Sequence, residues 1–158
     1  MEFAYKAIVA YDSKRGIGKN NSIPWYLPED LKRLKELTVN QNAIMGSKTF
    51  QSIIDKIGKP LPRNTNIVLS KNLTSLDYPR TILCHSVEEV KDNYKEGWIF
   101  GGSYIYDLFL PYTQEIYATE IDGDFQCDTF FPQINKDQWI IKSTEQREGF
   151  KFVLYARK

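Results

Sequence analysis

Asp30 is the carboxylate in this chain whose setting asks for a chemical explanation. It ends the run Ile23-Pro24-Trp25-Tyr26-Leu27-Pro28-Glu29-Asp30, in which Pro28 suits the first turn of a helix and Leu31, Leu34 and Leu37 supply apolar positions beyond it. At about 100° per residue, Asp30 projects between the directions of Leu34 and Leu37, whereas Glu29, Lys32, Arg33, Lys35 and Glu36 project elsewhere. Desolvation raises the pKa of a carboxylate on a buried stripe, while a nearby helix N-terminus favours the anion, so the group wants a cationic or donor-rich partner. Capping its own helix is the competing role, and the segment alone balances the two. The absence of a basic residue on the same face tilts the reading to a ligand.

Other residues are suited to an anion. In Ile44-Met45-Gly46-Ser47-Lys48-Thr49 a strand runs into a helix, leaving backbone N–H groups beside a cation without the spacing of a P-loop. After Trp98-Ile99-Phe100, Gly101-Gly102-Ser103 opens a further helix and lets backbone approach a ligand, although it is not a GxGxxG fingerprint. Ser70 and Lys71 follow the strand Thr65 to Leu69 at a sheet edge where ligands of open α/β sheets bind. His85 reads first as a solvated loop residue and second as a cofactor contact. No Gly-x-Ser-x-Gly elbow is present, and Cys84, Cys127 and one histidine do not make a common zinc site, so no metal is expected and the cysteines are read as reduced.

Positioning these groups falls to alternating elements. Phe3 to Tyr11, Asn42 to Met45, Thr65 to Leu69, Arg80 to Leu83 and Trp98 to Phe100 read as strands. Leu27 to Thr38, Phe50 to Ile57, Ser86 to Lys95 and Ser103 to Leu110 read as helices. Gln114 to Ile121, Gln138 to Glu145 and Phe150 to Arg157 read as strands without helices between them. The expected fold is α/β: a mostly parallel central sheet with an antiparallel C-terminal edge and helices on both faces. With 158 residues, 42% hydrophobic, a single domain over 1–158 is expected. A net charge of +1 gives no global field for nucleic acid, so an anionic ligand must be met locally. No apolar run reaches the length of a membrane span and Met1-Glu2-Phe3-Ala4-Tyr5-Lys6 lacks a leader pattern, which makes a cytoplasmic protein, expected to be monomeric, the reading.

Taken in order, Ile17-Gly18, Ile23-Pro24-Trp25, Leu27-Pro28-Glu29-Asp30, Met45-Gly46-Ser47-Lys48-Thr49-Phe50, Pro60-Leu61-Pro62 with Asn66-Ile67-Val68-Leu69-Ser70, and Phe100-Gly101-Gly102-Ser103 resemble dihydrofolate reductase. The resemblance runs from Ala7-Ile8-Val9-Ala10 to Asp128-Thr129-Phe130-Phe131-Pro132. It implies NADPH-dependent reduction of 7,8-dihydrofolate to tetrahydrofolate, with hydride to pterin C6 and a proton to N5, in support of one-carbon metabolism. Asp30, Trp25 and Tyr106 would then be the catalytic set. Ile8, Val9, Leu31, Leu34, Ile53, Leu61, Arg63, Phe100 and Thr119 would join Asp30 around the substrate. Ala10, Ile17, Gly18, Asn21 and Ser22 would lie against the nicotinamide side of the cofactor. Gly46, Ser47, Lys48, Thr49, Leu69, Ser70, Lys71 and His85, with Gly101, Gly102, Ser103, Tyr104 and Ile105, would hold its phosphates and adenosine. The resemblance also implies a cis Gly101–Gly102 peptide.

Departures from the family pattern are local. Leu34 stands where an aromatic ring commonly packs on the substrate, and Arg63-Asn64 places the arginine expected for the substrate's α-carboxylate one residue early, leaving a shifted turn, Lys35 or Lys59, or weak tail recognition as the alternatives. Ile54-Asp55-Lys56-Ile57 reads as an insertion that lengthens a helix and loop. The rivals are the pyrimidine reductase of riboflavin synthesis, not expected to carry Trp25 and Asp30 in this pattern, and a non-catalytic pterin or nucleotide-binding module.

Overall fold

Burial of the successive residues Ala7, Ile8 and Val9 makes Tyr5–Tyr11 (β1) a central strand with a covering layer on each side. The computed structural model describes residues 5–158; Phe3 and Ala4, expected in this strand, lie outside them. There follow Gly16–Gly18 (β2), Pro28–Thr38 (α1), Asn42–Gly46 (β3), Ser47–Ile57 (α2), Thr65–Leu69 (β4), Thr81–Cys84 (β5), Val87–Asn93 (α3), Gly97–Gly101 (β6) and Ser103–Phe109 (α4). A 3-10 turn at Leu110–Tyr112 leads to Thr113–Ile121 (β7), Thr129–Phe130 (β8), Trp139–Arg147 (β9) and Phe150–Arg157 (β10).

Eight strands form one sheet in the order β5-β4-β3-β6-β1-β7-β10-β9, and β2 pairs with β8 in a separate ribbon. From β5 through β7 every pairing is parallel, whereas β10 runs antiparallel to both β7 and β9. The three C-terminal strands form the expected antiparallel edge, with β10 between β7 and β9, and β7 joins that edge to the rest of the sheet by lying parallel to β1. The reason is the connection, since α4 stands between β6 and β7 and supplies the crossover that parallel strands require. Gly149 in the left-handed region (φ 85°) turns the chain tightly between β9 and β10, which gives a hairpin instead. The helices lie on both faces, as the strand-helix alternation predicts.

Consecutive residues of β1 separate those faces. Ala7, Val9 and Tyr11 pack with Ile44, Ile99, Ile116 and Ala118 beneath Val90 of α3 and Ile105, Tyr106 and Phe109 of α4. On the other side, Ala43, Met45 and Val68 pack against Phe50, Ile53 and Ile54 of α2, and Ala10 joins Trp25, Leu27, Ile121, Phe150 and Phe152. Each large apolar side chain that is fully buried contributes about 1.5–3 kcal/mol relative to exposure. The first layer is the thicker, with Phe109, Phe131, Ile44 and Ile99 all sealed from water. The extra residues Ile54 to Ile57 do extend a helix: α2 continues to Ile57, and Gly58 closes it in the left-handed region (φ 76°), its N–H donating to the Ile54 carbonyl.

Candidate active site

Leu27 occupies the N-cap of α1 and no side chain caps that end, so Asp30 does not serve its own helix. Its Oδ1 accepts a hydrogen bond from the Thr119 hydroxyl at 2.5 Å, which ties α1 to the centre of β7. Thr119 pairs in register with Ala10 of β1 and with Phe152 of β10, placing the carboxylate over the second layer. Burial raises the pKa of Asp30, and the Thr119 bond and the charge of Arg33 oppose the rise. Arg33 is a correction to the helical wheel, on which it pointed away. Its guanidinium lies 4.1 Å from the Phe152 ring centroid and 5.8 Å from that of Tyr117, because a long stem can bend its head back onto the sheet.

Tyr106 approaches from the opposite layer. Its hydroxyl is 2.7 Å from the carbonyl oxygen of Ile8 and 2.9 Å from that of Phe100, so its one proton serves two backbone acceptors on adjacent strands. Burial, and next the charge of Asp30, push its pKa up, which keeps it a neutral donor. Of the apolar residues expected at the substrate, Leu31 is exposed and Leu34, Ile53, Leu61 and Phe100 are half-buried. Val9 differs: its side chain lies in the core on the α4 side, because β1 alternates, and only its backbone faces the edge. The remaining set presents a carboxylate and a hydroxyl on one side and backbone carbonyl oxygens on the other, acceptors suited to a planar, donor-bearing ring.

Beside this set, the ends of β3 and β6 form a cradle. Met45 pairs with Gly101, and the Gly101–Gly102 peptide is cis. A Cβ at Gly46 would come within 3.1 Å of Ile105, and one at Gly101 (φ 113°) within 2.9 Å of the Tyr106 ring, whereas one at Gly102 would meet only Thr49 Oγ1 at 3.7 Å. The absent side chain at Gly102 thus leaves open space and not a packed contact. Gly46 is the N-cap of α2 and no side chain caps that helix either, so the N–H groups around Ser47, Lys48 and Thr49 lack side-chain acceptors. Lys48 and Lys71 are exposed. Ser70 Oγ accepts from the N–H groups of Asn72 and Leu73 at 3.3 and 3.2 Å, and His85 Nε2 lies 2.9 Å from the Leu73 carbonyl, so these two residues shape a loop. Leu69 and Ile105 are buried, and Ser103 and Tyr104 start α4.

The segment from Gly16 to Ser22, expected as a covering loop, contains a strand. Gly16 and Gly18 pair with Phe130 and Thr129, and Ser22 turns back on Lys19. Asn20 N–H donates to Asp128 at 2.9 Å, Asn21 has a positive φ (63°), and the Trp25 ring meets Phe125 edge-on at 5.3 Å. Ile17 and Gly18 are half-buried; Asn21 and Ser22 are exposed. Asp12, which sequence reasoning passed over, organises this region: its carboxylate accepts from the N–H groups of Lys14, Gly16 and Phe125 at 3.0, 2.8 and 2.9 Å. Burial alone would raise its pKa, but those backbone bonds outweigh it and hold the group below the usual carboxylate range. The available signal was an Asp directly after a strand and just before Gly16. Both cysteines are free, Cys84 buried and Cys127 beside Asp12.

Against known proteins, the sequence matches the dihydrofolate reductase family over residues 4–157. The chain belongs to the dihydrofolate reductase family. Dihydrofolate reductase of Staphylococcus haemolyticus is 40% identical over 142 residues, covering 88% of this chain and 82% of that protein. That of Staphylococcus aureus is 38% identical over 137 residues, covering 87% and 83%. The solved structure of dihydrofolate reductase from Enterococcus faecalis, complexed with NADP(H) and RAB-propyl, superposes with a TM-score of 0.84 at 34% identity, over 100% of this chain and 98% of that one. Among features expected of a dihydrofolate reductase, the Arg63-Asn64 step now has a structural account. Asn64 is buried and its side-chain amide donates to the carbonyls of Thr38 and Gln41, while Arg63 stays exposed. The turn does not shift to bring a cation into position 64.

Proposed function

We propose that this chain reduces 7,8-dihydrofolate with NADPH, the observation that carries the reading being Asp30 hydrogen-bonded to Thr119 instead of capping its helix. The 2-amino group and ring N3–H of a dihydropterin offer two adjacent donors to that pair, and the carbonyls of Ile8 and Phe100 lie where they can accept from its N8–H edge. Asp30, as an anion in a desolvated site, favours the protonated state of whatever ring it holds. It raises the basicity of the ring nitrogen next to the reacting carbon, while water brings the proton. Tyr106 fixes the two carbonyls and so sets the plane of the ring. Trp25 and the Gly16 to Ser22 segment exclude solvent from the reacting edge.

The cradle fits NADPH: Gly102 leaves open space for backbone-to-phosphate approach, while Gly46 and Gly101 let Ile105 and Tyr106 pack closely behind it, the start of α2 supplies N–H groups, and Lys48 and Lys71 are available cations. NADPH would supply hydride. Leu31, Leu34, Ile53 and Leu61 line an apolar path for the substrate's aryl tail, and exposed Arg63, Lys35 and Lys59 are the candidate cations for its carboxylate. The protein acts as a cytoplasmic monomer on this reading. Purified protein should consume NADPH absorbance only when dihydrofolate is added, and not with a riboflavin-pathway pyrimidine. Asp30→Asn should lower dihydrofolate turnover roughly 100-fold at neutral pH, with recovery in acid as the substrate protonates in solution. Parental turnover of that variant at pH 8 would overturn the assignment of Asp30.

A further inference from the structure

Two arginines converge on one ring. Arg33 lies 4.1 Å and Arg147 5.4 Å from the centroid of Phe152, which stands in register with Thr119, the partner of Asp30. Arg147 is neutralised: its guanidinium bonds Glu29 at 2.6 Å and Glu145 at 2.9 Å. Arg33 forms no ion pair among the described residues, and it sits one helical turn after Asp30, the i to i+3 spacing that brings side chains together. Its charge is therefore held, half-buried, near the carboxylate without neutralising contact.

We propose that Arg33 is a positioning residue for the reaction: a fixed cation, clamped on Phe152, that holds Asp30 in its charged form and limits how tightly the carboxylate and its bound substrate keep a proton. The inference rests on the dihydrofolate reading for its kinetic part only. The groups acting on Arg33 are Asp30 on its own helix, Tyr117 on β7, and Glu145 and Arg147 on β9; those acting on Asp30 are Thr119 on β7 and Arg33. Asp30 in turn acts on Tyr106 of α4. Burial lowers the pKa of Arg33 and Asp30 opposes it, while burial raises that of Asp30 and Arg33 opposes it, so each charge supports the other. A proton arriving on the bound ring adds a second positive charge to this neighbourhood. Without Arg33 the carboxylate and ring would keep that proton to higher pH.

Arg33→Met removes the charge and retains an apolar stem over Phe152, whereas Arg33→Lys retains the charge. In the ligand-free protein, the carboxyl carbon of Asp30, followed by nuclear magnetic resonance, should titrate at higher pH in Arg33→Met than in the parent, with Arg33→Lys close to the parent. Dihydrofolate turnover should then persist further into alkali, with the Met variant retaining about 3-fold more of its plateau rate at the top of the profile, a half-unit displacement. Arg33→Gln replaces Arg33→Met if the latter does not fold. An unmoved Asp30 midpoint overturns the proposal whatever the enzyme reduces, because that measurement needs no substrate. A moved midpoint with an unmoved rate profile overturns the role in turnover, and lowered thermal stability with both profiles unmoved assigns Arg33 to packing alone.

Discussion

At the scale of the residue, Asp30 is placed against its own electrostatic preference. Burial raises its pKa, so its ionised form is less favoured in the folded chain than in the unfolded one. A group with a raised folded pKa contributes stability below its unfolded value, about 3.9 for Asp, and that contribution is lost as pH rises through the folded value. Above that window the anion is a liability to the fold, which the proposed chemistry would require. Asp30→Asn, which keeps an acceptor for Thr119, should raise the thermal midpoint of the ligand-free protein at pH 7 by about 2–4 °C. The difference should vanish below pH 4, and thermal scans at the two pH values check both parts. A lowered midpoint at pH 7 would mean that the anion stabilises the fold. Asp12 is the opposite case, a buried carboxylate whose backbone bonds favour its charge, and its contribution is lost as pH falls through its depressed folded pKa.

At the scale of the element, the adjacent glycines at the end of β6 and just beyond it have separable tasks. Gly101 holds a positive φ of 113° and a Cβ there would strike the Tyr106 ring, the ring that fixes the carbonyls of Ile8 and Phe100. Gly101→Ala should therefore unfold more readily than the parent and lose turnover with it. Gly102 is not in the left-handed region, and its added Cβ would meet protein only at ordinary contact distance. Gly102→Ala should leave thermal stability within about 0.5 kcal/mol of the parent, yet weaken NADPH binding by roughly 10-fold or more if a phosphate approaches that backbone. Titration of NADPH fluorescence with each variant distinguishes the two, and unchanged affinity in Gly102→Ala would remove that residue from the cofactor site. Thr119 on β7 bonds Asp30 and Tyr106 on α4 bonds the carbonyl of Ile8, so opposite layers each hold one group of the proposed site.

At the scale of the whole molecule, a net charge of +1 cannot attract a polyanionic cofactor at a distance, so on the proposed reading discrimination between NADPH and NADH would fall to exposed Lys48 and Lys71. Lys71→Ala should lower kcat/KM for NADPH several-fold more than for NADH, and added salt should narrow the gap between the cofactors in the parent. Equal values for both cofactors in low salt would defeat this. Much of this molecule was already legible as sequence. Hydrophobic periodicity placed α2 and β4 within a few residues, and the helix between β6 and β7 was read correctly, because local spacing reports which faces must be buried. Asp30 stood out for the same reason, as a charge on an apolar stripe. Other facts needed the fold. Thr119 is 89 positions from Asp30, Phe125 is 113 from Asp12, and Tyr106 is 98 from Ile8, so no local pattern encodes their meeting. The direction of β7, the bend of Arg33 onto Phe152, and the inward turn of Asn64 were likewise decided by tertiary packing. Periodicity fixes which side of an element is apolar, but long side chains and crossover connections are settled by what the other layers leave unfilled.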